Sequence, residues 1–365
     1  VLYIKDEKLS PEVVDYLHAE GVAVDDYDNI IDALNSYDGY TLLIDPATTN
    51  YTLSQLRGNF NLVSAPSPVP EMKAIKNEVE CNGFRNAMQR DGVAMVKFLK
   101  WLEEAVPKGC ETELSVSAKL RQLRAEQPLF KDESFDTIAG YEEHGAIVHY
   151  EPTPDTDVPL RPEGFLLLDS GAQYLDGTTD ITRTIQLGKV TDLHRRVYTL
   201  VLKGHLSLQN LCFPRGAAGT QLDAVARVAM WREGMNFMHG TGHGVGSYLS
   251  VHEGPHQIRQ EYRPAPMLEG MTVTDEPGLY LAGKFGVRIE NTLLTVPYMT
   301  TEFGKFLRFE PLTLCPIDTR PIVVDMLSTE ELGLLNAYHK MVYERLSPML
   351  DEEHKAWLAD KTRSL

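Results

Sequence analysis

Five side chains of the types that bind metal ions stand at strand ends or in glycine-rich turns of this 365-residue sequence. They are four carboxylates and one imidazole: Asp169, Asp180, His243, Glu276 and Glu290. Asp169 directly follows the apolar run 165–168, which is typical of a buried strand. Burying a lone carboxylate is costly unless it takes up a proton or binds a cation. The pattern therefore favours a cation site.

The spacing of the first two carboxylates sets a geometric condition on such a site. If residues 176–177 formed a two-residue hairpin turn, Asp180 would lie opposite residue 173. Asp169 would then lie four residues further along the strand on the same face, about 13 Å away. That separation is too long for two ligands of one ion. A shared site therefore requires a wider loop over about 171–178.

The spacing of Glu276 and Glu290 brings these two carboxylates close enough to share an ion without a wider loop. The midpoint between them is Gly283, so an antiparallel hairpin centred there places the two carboxylates opposite each other on one face. Like charges that face each other across two strands are destabilising. A cation between them would remove the repulsion.

Four histidines accompany the acids. His239 and His243 lie among glycines in the stretch 239–246, and His252 follows nine residues after His243. Glycine lets the backbone approach a ligand closely or adopt positive φ values. His149 stands near the end of the apolar segment 145–150, which predicts a strand. These imidazoles are candidates for metal or substrate binding.

Four carboxylates with one imidazole suit hard or borderline divalent ions. Two ions about 3.5–4 Å apart, bridged by carboxylates, would use all four acids, and a bridging water would have its pKa lowered toward about 7. The predicted chemistry is hydrolysis by a hydroxide that bridges two metal ions. Taken singly, Asp169 could also be a turn residue and Glu276 a surface acid. The occurrence of all five ligand types in one region favours the metal site.

The elements that must position these residues are of mixed type. Residues 1–65 predict a small, partial α/β domain, followed by a proline-rich linker. Residues 66–314 predict the catalytic domain, which is helical to about residue 105 with a break near Gly83 and then rich in strands. Residues 315–365 predict a helical C-terminal extension, whose start is marked by the capping box 328–331.

Composition excludes several other classes of protein. There are 52 acidic against 35 basic side chains, a net charge of −17, so binding to nucleic acid is not expected. No stretch approaches the ~20 apolar residues of a membrane span, and no membrane partner is expected. The four widely spaced cysteines predict reduced thiols and a cytoplasmic protein. The first residue is Val1, which predicts either a processed start or a piece of a longer chain.

Six ordered motifs surround the candidate residues. They are Asp169-Ser-Gly-Ala-Gln-Tyr174, Gly177-Thr-Thr-Asp180-Ile-Thr-Arg-Thr184, His239-Gly-Thr-Gly-His243-Gly-Val-Gly246, Val251-His252-Glu-Gly-Pro255, Glu276-Pro-Gly-Leu-Tyr280 and Arg288-Ile-Glu290-Asn291. This set resembles the pita-bread metallopeptidases over roughly residues 66–365. Within them it is most similar to the Xaa-Pro aminopeptidases of the long three-domain kind. The resemblance implies an α+β pita-bread catalytic domain, with residues 1–65 as the remnant of a preceding middle domain.

The resemblance also implies a role for each candidate ligand. Asp169 would bind one metal ion, and Asp180 and Glu290 would bridge two. His243 and Glu276 would complete the other ion's ligands, and Glu276 would handle the proton of the bridging water. The ions implied are two Mn²⁺, with Zn²⁺ or Co²⁺ as alternatives.

The remaining motif residues would contact the substrate. His149 and His252 would bind near the scissile carbonyl and stabilise the charge that develops there. His239, Tyr280 and Arg288 would line the proline-binding side of the pocket. The implied substrates are peptides with proline in second position, from which the first residue is released, and the implied assembly is a homodimer.

Two alternatives follow from the same resemblance. Prolidases, which cleave Xaa-Pro dipeptides, are the closer alternative. Some pita-bread proteins have lost their metal ligands and act as binding modules. All five ligand positions hold the expected residue types here. A working peptidase is therefore favoured. The residues of the motifs at 169–174 and 239–246 resemble those of the aminopeptidases more than those of the prolidases.

Overall fold

Short helices and strands occupy the first 69 residues, which form one of the two units of this computed structural model. The structure describes residues 1–56 and 58–365. The strands of this unit are β1 Leu2–Ile4, β2 Val24–Asp26, β3 Thr41–Ile44 and β4 Asn61–Ser64, and its helices are α1 Pro11–Ala19, α2 Ile30–Asn35 and α3 Tyr51–Ser54. β1 pairs with β2 and β3 with β4, both in parallel. Ser10 caps α1 by accepting a hydrogen bond from the Val13 amide.

The second unit comprises Pro70–Leu365. Its helices are α4 Val69–Ala74, α5 Glu78–Ala105, α6 Glu113–Ala125, α7 Asp192–Gln209, α8 Gly219–Trp231, α9 Thr329–Leu346 and α10 Glu352–Lys361. A capping box between Ser328 and Glu331 opens α9, as predicted. Among the helices of the described residues, none has the length and apolar character that a membrane span requires. The domain boundaries placed after residues 65 and 314 stay predictions.

Helix α5 runs unbroken through Gly83, so the break predicted there is wrong. A Cβ atom at Gly83 would lie 2.1 Å from the carbonyl oxygen of Asp176. Glycine is therefore needed at this position because a distant turn packs onto the helix, and the helix continues past it. The interruption lies earlier, where the Asn77 side chain accepts a hydrogen bond from the Glu80 amide and starts α5.

The strands of the second unit pair antiparallel throughout. They are β5 Phe130–Glu133, β6 Ile138–Tyr141, β7 Phe165–Ser170, β8 Ala172–Tyr174, β9 Gly177–Thr178, β10 Ile181–Gln186, β11 Cys212–Pro214, β12 Gly242–His243, β13 Gln257–Ile258, β14 Thr272–Asp275, β15 Gly278–Leu281, β16 Phe285–Arg288, β17 Asn291–Thr301 and β18 Gly304–Pro311. The sheets have the orders β10-β7-β6, β11-β18-β17-β14 and β5-β8-β9, with the separate pairs β12-β13 and β15-β16. Segregated helices and antiparallel sheets make this unit an α+β structure, as predicted.

The main core lies behind the strands that carry the candidate ligands. Val201 and Leu206 of α7 pack in one buried cluster with Val287 of β16, Ile289 and Val342 of α9. These side chains are fully buried. Close packing of this kind holds the β15–β16 hairpin against α7.

Candidate metal and active site

The hairpin that carries Asp169 and Asp180 has a tighter turn than the sequence predicted. Its paired positions are Asp169 with Thr182, Ser170 with Ile181, Gln173 with Thr178 and Tyr174 with Gly177. The turn therefore consists of residues 175–176, one position earlier than assumed, and this register sets Asp180 opposite Gly171. Asp180 then lies only two positions along the ladder from Asp169, within diagonal reach. The predicted wide loop over 171–178 is wrong, because moving the turn by one residue changes the register by two.

The second hairpin has the predicted register. β15 and β16 pair Gly278 with Arg288, and β14 and β17 pair Asp275 with Asn291, so one register continues on both sides of the two glutamates. This places Glu276 and Glu290 opposite each other. The symmetry about Gly283, visible in the sequence, is confirmed.

The two hairpins are joined beneath the carboxylates. The Thr182 hydroxyl donates to Glu290 Oε2 at 2.7 Å, and the Glu290 amide donates to the Thr182 carbonyl at 3.1 Å. The buried Arg183 guanidinium donates to the Glu290 carbonyl at 2.6 Å and to Asn291 Oδ1 at 2.9 Å. Sequence reasoning gave neither Thr182 nor Arg183 a role, although both belong to the motif after Asp180. Their contacts hold Glu290 in place.

His243 presents one ring nitrogen to two of the acids. Its Nδ1 lies 2.9 Å from the Gly244 carbonyl, so Nδ1 carries the proton and Nε2 holds a free lone pair. Nε2 lies 3.5 Å from Asp180 Oδ2 and 3.5 Å from Glu276 Oε1. Burial lowers the pKa of His243 to about 3, so the ring is neutral. A neutral imidazole held through Nδ1, with Nε2 free, is the tautomer that binds metal ions.

The acids repel one another in the absence of a cation. Burial first, and then the charges of Asp169 and Glu276, raise the pKa of Asp180. Burial and the charge of Asp180 raise the pKa of Glu290. Burial raises the pKa of Glu276 to about 8, although the nearby Arg288 acts in the opposite direction. One guanidinium does not balance this group of buried carboxylates.

The donor set fits a divalent ion. Asp180, His243 and Glu290 each offer a ligand atom, and these atoms all lie within 4.8 Å of one another. Asp169 Oδ2 accepts from Arg288 at 2.6 Å, whereas its buried Oδ1 has no hydrogen-bond partner among the described residues. Buried oxygens without a donor, next to an imidazole lone pair, are the ligands that Mn²⁺, Co²⁺ or Zn²⁺ accept.

The electrostatics predict how metal removal acts on stability. Asp180, Glu276 and Glu290 have raised pKa values and bind more protons in the folded state than in the unfolded state. Stability of the metal-free protein should therefore fall as pH rises from about 6.5 to 8. Below pH 6.5 the buried His239 and His243, whose pKa values are lowered to about 3, act in the opposite direction. Chemical unfolding of chelator-treated protein across this window measures the slope, and added metal should stabilise more at pH 8 than at pH 6.5. Equal stability of the metal-free protein at both pH values would contradict the expectation.

A cavity of about 450 Å³ contains nearly all the predicted site residues in its wall. They are Asp169, Asp180, His243, Glu276, Glu290, His149, His239, His252 and Arg288. Tyr280 is not part of that wall, but its hydroxyl accepts from Arg288 at 2.7 Å and lies 2.8 Å from His239 Nε2. Because His239 Nδ1 lies 2.7 Å from the Gly240 carbonyl, its Nε2 accepts the Tyr280 proton. The three residues form one hydrogen-bonded chain on a single side of the cavity.

The remaining wall residues were not predicted. They include Phe135, Ile138, Val148, Gln257 and Arg259. Gln257 pairs with His243 across β12 and β13. No local sequence signal marks these positions, because their place in the wall depends on strand pairing.

His149 and His252 approach the cavity from two different loops. The sequence predicted that His149 ends a strand, and this is wrong. His149 lies in a turn after the 3-10 helix Glu142–Ala146. The His252 ring centroid lies 4.3 Å from that of His243. Burial lowers the pKa of His252, which keeps it neutral and able to donate one hydrogen bond.

Three family models match the sequence. Residues 82–297 match metallopeptidase family M24, and residues 305–365 match the C-terminal region of that peptidase family. Residues 1–80 match the creatinase/prolidase N-terminal domain.

Curated relatives match along the whole chain. A probable Xaa-Pro aminopeptidase P of Aspergillus fumigatus is 42% identical over 99% of this chain and 58% of its own length. Xaa-Pro aminopeptidase 1 of Dictyostelium discoideum is 40% identical over 100% of this chain and 60% of its own length. The chain thus spans less than two thirds of the length of these relatives.

Solved structures match the fold. An X-prolyl aminopeptidase of Caenorhabditis elegans, described as a cytosolic enzyme with a di-nuclear active site, superposes with a TM-score of 0.92 at 34% identity. That match covers 100% of this chain and 61% of the worm chain. A prolidase of Pyrococcus furiosus superposes with a TM-score of 0.66 at 26% identity, over 85% of this chain and 86% of the other.

Proposed function

Because the chain belongs to metallopeptidase family M24, we propose that it is a metal-dependent aminopeptidase that hydrolyses the N-terminal Xaa-Pro bond of peptides. Its fold is the pita-bread fold with a small creatinase-like N-terminal domain, as the motifs predicted. One observation carries the proposal. Four carboxylates and one imidazole converge on a cavity whose wall also contains three further histidines and two arginines.

We propose two divalent ions, and Mn²⁺ as the metal, with Zn²⁺ or Co²⁺ as alternatives. Asp169, Asp180 and Glu290 would hold one ion, and Asp180, His243, Glu276 and Glu290 the other. The carboxylate-rich donor set supports Mn²⁺, which prefers oxygen ligands. When bound, such ions polarise the substrate carbonyl and lower the pKa of a water to near neutrality.

Glu276 is the proposed proton acceptor and donor. Its Oε1 accepts from the Thr274 hydroxyl at 3.3 Å and faces the cavity beside His243. A glutamate takes the proton of the attacking water and returns it to the leaving nitrogen, provided that its pKa lies near the working pH. The raised pKa of Glu276 is in the direction that this role requires.

His149 and His252 would hold the scissile carbonyl. Both rings line the cavity from loops outside the β15–β16 hairpin, so they flank a substrate that lies over the carboxylates. A neutral imidazole that donates to the developing oxyanion stabilises the transition state more than the ground state.

The side of the cavity lined by His239 and Arg288, which are joined through Tyr280, would hold the proline ring. The chain of hydrogen bonds from Arg288 through Tyr280 to His239 holds the three side chains in fixed orientations. The proline ring is rigid and loses little conformational entropy when it binds against such fixed walls. A flexible side chain would lose more, so proline is favoured.

A peptide panel tests the reaction. Mass spectrometry should show metal-dependent release of only the first residue from Xaa-Pro-Yaa peptides, with Xaa-Ala-Yaa peptides at least about 100-fold slower. Cleavage confined to Xaa-Pro dipeptides would replace the proposal by a prolidase activity, which the likeness to the archaeal prolidase keeps as the second candidate. Absence of cleavage with Mn²⁺, Co²⁺ and Zn²⁺, together with retained peptide binding, would identify a binding module.

The protein is also proposed to be a cytoplasmic homodimer. Its likeness to a worm enzyme described as cytosolic supports the location. Four unpaired cysteines agree with a reducing compartment. Light scattering coupled to size exclusion tests the dimer, because it gives the mass directly.

A further inference from the structure

Glu113 is a fully buried carboxylate that no step of the proposed reaction uses. It is the first residue of α6, outside the cavity wall. Burying a carboxylate is costly unless several donors surround it. The donors that surround Glu113 all belong to one short segment, residues 141–150.

Three groups of that segment converge on the one carboxylate. Glu113 Oε1 accepts from the Tyr141 amide at 2.7 Å, and Oε2 accepts from the Tyr150 hydroxyl at 2.8 Å. His144 Nδ1 lies 3.0 Å from both oxygens, and its ring packs against that of Tyr150 at a tilt of 33°, with centroids 4.4 Å apart. Both ends and the middle of the segment are thus held by a single side chain.

The same segment carries two residues of the cavity wall. Val148 and His149 line the cavity, and the Val148 carbonyl accepts from Arg288 at 3.4 Å. On the side of the β15–β16 hairpin, a Cβ atom on Gly286 would lie 1.7 Å from the Gly145 carbonyl oxygen. The turn therefore fits closely against the hairpin on one side and is held by hydrogen bonds to Glu113 on the other.

We infer that Glu113 is the positioning residue for His149, because it fixes the turn that presents this imidazole to the substrate carbonyl. The inference rests on the proposed function for the role of His149. An apolar side chain would fill the same space, but it would leave the Tyr141 amide and the Tyr150 hydroxyl without an acceptor. The turn would then move relative to the carboxylates of the metal site.

The variant Glu113→Gln tests the inference with little change in volume. Its amide oxygen can still accept from the Tyr141 amide, but its NH₂ group faces the Tyr150 hydroxyl and His144. We expect kcat on an Xaa-Pro-Yaa peptide to fall roughly 10- to 100-fold, because a displacement of about 1 Å has an effect of that size. KM should change less than kcat, since the carbonyl contact matters most in the transition state. Tyr150→Phe, which removes one donor, should give a smaller loss in the same direction.

A double-mutant cycle separates positioning from general loss of structure. If Glu113 acts through His149, adding Glu113→Gln to His149→Ala should cost no more than about a further twofold in kcat/KM. Additive losses would overturn the inference. Leu358→Ala is the matched control for destabilisation, because Leu358 is fully buried in α10 and is not part of the cavity wall. It should lower Tm and leave kcat within about twofold.

A second readout does not depend on turnover. The imidazole signals of His149, assigned by their absence in His149→Ala, should shift or broaden in the NMR spectrum of the 365-residue Glu113→Gln protein and stay unchanged in Leu358→Ala. Unchanged His149 signals in Glu113→Gln would overturn the inference even if the wild type proved inactive. Wild-type inactivity on the peptide panel would instead count against the proposed function alone.

Discussion

Glu276→Gln is expected to remove nearly all turnover and to leave the fold intact. Glutamine has the shape of glutamate but cannot take up a proton at neutral pH, and its oxygen is a weaker metal ligand. Loss of a proton-transfer group alone lowers kcat by roughly 10²- to 10⁴-fold. The upper end of that range is expected, because Glu276, which lies beside His243, is also a proposed metal ligand. Initial rates on an Xaa-Pro-Yaa peptide, with the bound metal measured on the same sample, check the prediction.

The matched control is Glu269→Gln. Glu269 is partly exposed, pairs with Arg215 at 2.8 Å and is not part of the described cavity wall. Its substitution should leave kcat within about twofold. Near-wild-type turnover by Glu276→Gln with metal bound would disprove the proton-transfer role, and the reaction would need another base.

Asp180→Asn should produce two changes of opposite sign. Without metal, the variant should be more stable than the wild type, because the substitution removes one of the charges that raise the pKa of Glu290. A rise in Tm of about 2 °C or more corresponds to about 1 kcal/mol in a unit of this size. With metal, the order should reverse, because an amide is a poor substitute for a carboxylate that would bridge the two proposed ions. We expect metal affinity to fall by at least about 100-fold and turnover to fall with it.

Thermal unfolding with and without Mn²⁺, together with calorimetric titration of the metal, measures both signs. Asp155→Asn is the matched control, since Asp155 is exposed in the loop before β7. It should change neither Tm nor metal binding. If Asp180→Asn bound two ions as tightly as the wild type, Asp180 would not be a ligand, and the site would have to be rebuilt around the other acids.

Much of the site could be predicted because its ligands belong to short, regular patterns. The hairpin about Gly283 is an example: equal spacing on both sides of the turn places Glu276 opposite Glu290 in any antiparallel pairing centred there. The identity of the donors likewise follows from residue type, since buried carboxylates require a cation or a proton and a neutral imidazole among them offers a further metal ligand. Neither inference needs knowledge of distant contacts.

The predictions for the turn between Asp169 and Asp180 and for a break in α5 were wrong because these two segments, remote in sequence, pack against each other. Between Asp169 and Asp180 a two-residue turn was considered only at 176–177, and a wider loop over about 171–178 was therefore predicted. In the structure the Asp176 carbonyl packs against α5 at Gly83, and Arg90 of α5 bonds the Asp176 carboxylate. These contacts accompany a turn at 175–176 and an unbroken α5.

The sequence by itself indicated the types of metal ligand and, with them, the proposed hydrolytic chemistry, because those depend on residue type. It also determined the register of the second hairpin, because that register depends on spacing over fewer than twenty positions. Only the tertiary structure decided that Asp169 and Asp180 come within reach of each other, that His149 lies in a turn, and that Glu113 holds that turn. Glu113 precedes His149 by 36 positions, and no local pattern links them. Their relation exists only after α6 has packed beside the turn, because packing brings together groups whose separation along the chain carries no periodic signal.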